Sequence, residues 1–197
     1  MPNWCDNTLD LTHEDPAMIE RAKNAFKENK LLSEFCPCPK PLYETPSGYV
    51  GDKDSYERKL NEYKQQLNVE FFGHKDWYEW CINEWGTKWD IGSEGGCINQ
   101  EDPNSISFSF QSAWSPPIDA YAKLVDMGFE VYALYYESGM GFCGCFDQGI
   151  DDCYSIDGNS EWVVDCIPDY IDEAFCISES MAEWEDDNEE EEKDVSN

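Results

Sequence analysis

At 197 residues, with 41% hydrophobic and 15% aromatic content, the chain is sized for one folded domain and is too apolar for a disordered polymer. Forty-three Asp and Glu against 13 Lys and Arg give a formal net charge of -30, which excludes a broad basic surface of the kind that grips phosphate backbones. No apolar run is long enough to span a bilayer and the amino terminus lacks a basic, apolar leader, so the expectation is a soluble cytoplasmic protein whose ten cysteines are reduced.

Trp4 to His13 alternates Leu9 and Leu11 with polar neighbours, the period of a half-buried strand. Asp15 before Pro16 marks a helix start, and Ile19, Ala22 and Phe26 keep helical spacing towards Asn29. The stretch "CPCPKP", Cys36 to Pro41, holds three prolines and reads as a rigid loop. Asp54 to Leu67 places Tyr56, Leu60, Tyr63 and Leu67 on one face and predicts an inserted amphipathic helix. A further helix, Asp76 to Trp85, carries Trp77, Trp80 and Cys81 and ends at Gly86.

Lys88 to Gly92 and Ser105 to Gln111 have strand character, the second through alternation of Ile106, Phe108 and Phe110 with serines. Ser115 is placed to cap a helix begun by Pro116 and Pro117, with Ile118, Tyr121, Ala122 and Val125 as its stripe and Gly128 as its stop. Phe129 to Ser138 reads as a strand with "GFCGCFDQG" as its hairpin partner, followed by short strands at Cys153 to Ile156 and Glu161 to Cys166. Between Lys123 and Lys193 there are 21 acids and no basic residue, and "EWEDDNEEEEKDVSN" reads as a solvated tail. The order βαββαβ is that of a ferredoxin-like α+β sandwich. It predicts one domain over 1–176, with a helical insertion at about 36–86, extra carboxyl-terminal strands, and a disordered acidic tail over 177–197.

Four stretches, "MPNWCDNTL", "NEWGTKWD", "SAWSPP" and "YYESGMGFCG", occur in an order that resembles the YubB/Api92-like family of phages and plasmids. The resemblance runs over about 1–149 and implies a ferredoxin-like domain and a mobile-element setting. It brings no established activity, and the acidic end matches no motif of the family.

Cys36 and Cys38 form one C-x-C pair and Cys143 and Cys145 another; convergence of the four would make a thiolate metal site, although C-x-C is not the usual zinc spacing. Buried or loop thiols are the simpler reading, and no metal or other cofactor is expected. His13 and His74 stand alone, and no P-loop or nucleophile elbow is present, so the reading is against an enzyme. Trp85, Lys88, Trp89 and Trp114 form either a structural rim with Lys88 over an indole or one recognition patch.

The carboxylates Asp151, Asp152, Asp157, Asp165, Asp169, Asp172 and Glu173 complete the candidate partner-binding set. They favour a non-enzymatic protein that binds a host protein with a basic surface by mimicking nucleic-acid charge, inhibiting a defence or other nucleic-acid-binding machine. No direct nucleic-acid binding and no membrane partner are expected. The alternatives are a metal- or thiol-dependent enzyme, and an accessory protein whose acidic tail maintains solubility.

Overall fold

The computed structural model describes the backbone of residues 3–195 and the side chains of residues 3–188. In chain order the elements are β1 (Trp4–Thr12), α1 (Pro16–Lys27), α2 (Leu31–Phe35), α3 (Lys40–Tyr43), α4 (Tyr56–Phe72), α5 (Trp77–Glu84), β2 (Gly96–Asp102), β3 (Ser105–Ala113), α6 (Ile118–Asp126), β4 (Glu130–Glu137), β5 (Phe142–Asp147), β6 (Ile150–Ser155), α7 (Ser160–Cys166), α8 (Asp169–Phe175) and α9 (Ile177–Val195). The strands form one antiparallel sheet in the order β2-β3-β1-β4-β5-β6, so the chain is a mixed α+β fold.

Side-chain alternation divides the molecule into two cores. Leu9, Leu11, Ile106, Phe108, Val131 and Phe146 point to one face, where α1, α2, α5 and α6 cover them, and Phe26 stacks on Phe108 with ring centroids 4.4 Å apart. Leu134, Cys143 and Cys145 point the other way and are covered by Val163 of α7, Ile167 just after it, Ile171 of α8 and Ile177 of α9. The carboxyl-terminal acids therefore ride on helices anchored to the second face.

Several local expectations hold for identifiable reasons. The Asp15 side chain accepts from Ala17 N–H at 2.9 Å, with Pro16 opening α1. Gly86 follows α5 at φ +86°, and a Cβ there would meet Ile118 N at 3.0 Å and Pro116 O at 3.1 Å, so only glycine fits without strain.

Others are corrected. Lys88 to Gly92 is not a strand: Asp90 turns inward to accept from the N–H groups of Leu32 (2.7 Å) and Ser33 (3.1 Å) at the start of α2, and the second strand begins later, at Gly96. Ser115 does not cap α6, because its hydroxyl donates to Gly86 O and Pro117 occupies the cap position. Glu161 to Cys166 lies within helix α7, where Asn159 caps Trp162 N–H at 3.1 Å and outweighs the β-branched valines. The segment expected as a disordered tail is helical through Val195. Ile177 is buried and Glu185 accepts from the N–H (2.9 Å) and hydroxyl (2.8 Å) of Ser160, contacts that average composition hides.

Helix α4 is packed with its polar side inward. Asn61 and Asn68 are buried, whereas Tyr56, Leu60 and Tyr63 of the expected stripe are exposed. Asn61 and Gln65 each donate to Pro46 O at 3.3 Å, and Asn68 donates to Thr45 Oγ1 and Lys75 O at 3.0 Å. The helix rests on a loop whose carbonyls need donors, and none of its described side chains joins either core.

Candidate functional site

The two tryptophan stretches meet in the fold. Thr87, fully buried, donates its hydroxyl to Ala113 O at 2.9 Å, and Ala120 N–H reaches Trp85 O at 3.3 Å. Trp85 itself is only 5% exposed, lies edge-on to Trp80 with centroids 5.4 Å apart and donates Nε1–H to Cys36 O at 2.9 Å. Its expected role as a partner-facing anchor is corrected to one of internal support, since most of the indole is committed to the core.

Lys88 and Trp89 remain at the surface. The Lys88 ammonium sits 4.6 Å from the Trp89 ring centre and 5.6 Å from that of Tyr78, while Trp89 lies 5.9 Å from Trp4. Such an exposed cation-π contact contributes about 0.5–1 kcal/mol. Trp4 was missed in the sequence because it begins a strand; its pairing with Ala113 across the β1–β3 ladder is a long-range fact. Trp114 is half-exposed with φ +74°, a left-handed conformation costly for a bulky residue, and its N–H is held by Asn3 O at 3.0 Å.

An open cavity of about 760 Å³ lies beside this rim, lined among others by Tyr43, Trp77, Trp85, Lys88, Trp89 and Asp90. Asp90 closes part of its wall, with burial pushing its carboxyl pKa up against the lowering effect of the Leu32, Ser33 and Ile91 N–H groups. Trp114 does not line it. The cavity thus gathers Trp85, Lys88 and Trp89 of the expected patch and adds Trp77 and Tyr43.

Behind this wall, Glu84 joins Lys123 through its carboxylate and His74 Nε2 at 3.2 Å. Lys123 also donates to Glu84 O at 2.8 Å and approaches Cys36 Sγ at 3.3 Å. The Lys123 hydrogen bond holds the Glu84 carboxyl below its usual range; desolvation works against the Lys123 ammonium, but Glu84 and Cys36 outweigh it and its pKa is raised. A lysine held charged in this way is a donor, not a base for the thiol.

The two C-x-C pairs are separated by the sheet. Cys36 and Cys38 pack on the first core, whereas Cys143 and Cys145 belong to the opposite core, so the four-thiolate site is not assembled. No group of three or more His, Cys, Asp or Glu among the described residues is arranged to hold a metal ion. Burial pushes the thiol pKa of Cys38 up to about 11, that of Cys81 up to about 12 and that of Cys143 up to about 11.

The acidic set is spread over β6, the loop that follows it, α7 and α8. Asp151, Asp152, Asp157, Asp165, Asp169 and Glu173 are exposed, and Asp151 also accepts from Tyr135 OH at 2.7 Å. Asp172 is used internally: it accepts from Ser178 N–H (2.7 Å) and Oγ–H (2.6 Å), securing the first turn of α9. Every ion pair among the described residues involves an acid before Ile118 in the chain, leaving the later carboxylates with no basic partner there. Among the described residues no helix is long and apolar enough to cross a membrane.

No family model matches the chain, and no curated protein matches it. In structure it is similar to protein api92 of family DUF1281 from Yersinia pseudotuberculosis, with a TM-score of 0.44 and 11% identity over 81% of this chain and 99% of that chain. This is a distant structural relationship.

Proposed function

We propose that the chain is a non-enzymatic binding protein whose carboxyl-terminal acidic face mimics nucleic-acid charge and engages a protein with a basic surface. The observation that carries this reading is the folded presentation of Asp151 and Asp152 on β6, Asp165 on α7, and Asp169 and Glu173 on α8, with Asp157 in the short β6–α7 loop, on a stretch of chain that supplies no basic partner. The five carboxylates held on packed helices and a strand keep their spacing, and the field of the set steers a basic partner into contact. A nucleic-acid-binding machine of a host cell is the partner class that such a face fits, and inhibition of it is the corresponding role. The strand order β2-β3-β1-β4, with α1 and α6 as connections, supports a ferredoxin-like core beneath this face.

The test is capture from bacterial lysate by the immobilised full chain at low salt, with DNA as competitor. A nucleic-acid-binding protein displaced by DNA, and released as salt shortens the Debye length to about 8 Å, is the expected result. Partners that ignore both salt and DNA overturn the reading. Replacing the six exposed acids by Asn or Gln must abolish capture, whereas truncation after Asp187 keeps the Glu185–Ser160 contact and isolates the contribution of the remaining end.

A further inference from the structure

Helix α4 offers a surface of a different kind. At 100° per residue, Tyr56, Leu60, Tyr63, Leu67 and Phe71 fall within an arc of about 80°, while Arg58, Asn61, Gln65 and Asn68 fall towards the other side. Asn61, Gln65 and Asn68 bind the body of the protein; the first group looks outward, with Tyr56 75%, Tyr63 57% and Phe71 73% exposed. Beside the stripe runs an open groove of about 620 Å³ lined by Lys40, Pro41, Lys64, Leu67 and Phe71. The spacing of the first four positions is that of a helix-pairing seam.

We propose that this seam pairs with the same seam of a second copy, antiparallel about a two-fold axis. Charge selects that occupant. Residues 36–88 hold seven of the 13 basic residues but only nine of the 43 acids, a net of -2 in a chain of -30. Two such chains repel least where these segments meet, whereas a basic partner is drawn to the acidic carboxyl-terminal third instead. The seam is also self-complementary. Setting Tyr63 of one protomer opposite Leu67 of its partner brings Lys59 of each beside Glu70 of the other, an ion pair that symmetry makes twice.

Sedimentation equilibrium of the full chain at about 0.15 M salt tests the proposal. The expected species has twice the 22.8 kDa chain mass. Leu60→Glu and Tyr63→Glu raise the dimer dissociation constant by about 30-fold or more, as loss of interface anchors does. Both sites are exposed, so unchanged circular dichroism of the dilute variants confirms that folding is not the cause. Lys59→Glu weakens the dimer, and Lys59→Glu with Glu70→Lys restores it. A wild-type chain that stays monomeric up to about 0.1 mM, or a dimer indifferent to Leu60→Glu, overturns the proposal; failure of the double exchange to restore pairing overturns the antiparallel register. Capture of a basic partner is a separate readout, so either reading can fail while the other stands.

Discussion

In α1 the apolar positions Ile19, Ala22, Ala25 and Phe26 are buried against the sheet; in α4 the corresponding stripe is open and the asparagines Asn61 and Asn68 are buried in its place. The difference lies in what each helix rests on. Beneath α1 is an apolar sheet face with Phe108 at its centre, whereas beneath α4 is the Thr45–Pro46 loop, whose oxygens demand donors. A periodic stripe specifies a helix, and the surface below decides which side of that helix turns inward.

The sharpest way to break this contrast is a pair of truncations. Phe26→Ala is expected to cost about 3–5 kcal/mol in denaturant unfolding. Tyr63→Ala in dilute protein should stay within about 0.5 kcal/mol of wild type, and a core-sized loss there would contradict the outward seam. Next in size, Asn68→Ala removes the donor to Thr45 Oγ1 and Lys75 O and should cost about 1–3 kcal/mol. If it proves milder than Tyr63→Ala, the polar underside of α4 is not what holds it.

The caps should show no such contrast, since Asp15 serves α1 and Ser55 serves α4 in the same manner. Alanine at either is expected to cost about 1 kcal/mol in thermal or denaturant unfolding. The smallest effect belongs to Glu84, whose folded pKa is depressed from 4.5 chiefly by Lys123. Depression means that the folded state binds the proton less readily than the unfolded chain. The associated stability is present above pH 4.5 and is lost as pH falls through the lower folded value. Glu84→Gln should flatten that acid limb in a melting-temperature series, and an unchanged limb would discount the Lys123 contact.

Alternation made β3 and the start of β4 readable, because Ile106, Phe108 and Phe110, and then Val131 and Ala133, meet the helices at every second position. Helix α5 was readable from its stripe, and its stop from Gly86. The candidate site was only partly legible. Lys88 over Trp89 follows from adjacency, but Trp4 against Trp89 and Glu84 against Lys123 join residues far apart in the chain. The segment 88–92 misled because Trp89 and Ile91 alternate with polar neighbours, while Asp90 is drawn inward by the open N–H groups of α2.

Sequence alone determined the uneven charge, the periods of the main helices and strands, and the stops at Gly86 and Gly128. These are properties of composition and near neighbours. Tertiary structure decided that α4 shows its apolar stripe to solvent, that Trp85 faces inward, that Asp172 secures α9, and that the two C-x-C pairs lie on opposite faces of the sheet. Each outcome depends on which distant segment lies beneath a side chain, information that its own local pattern does not contain.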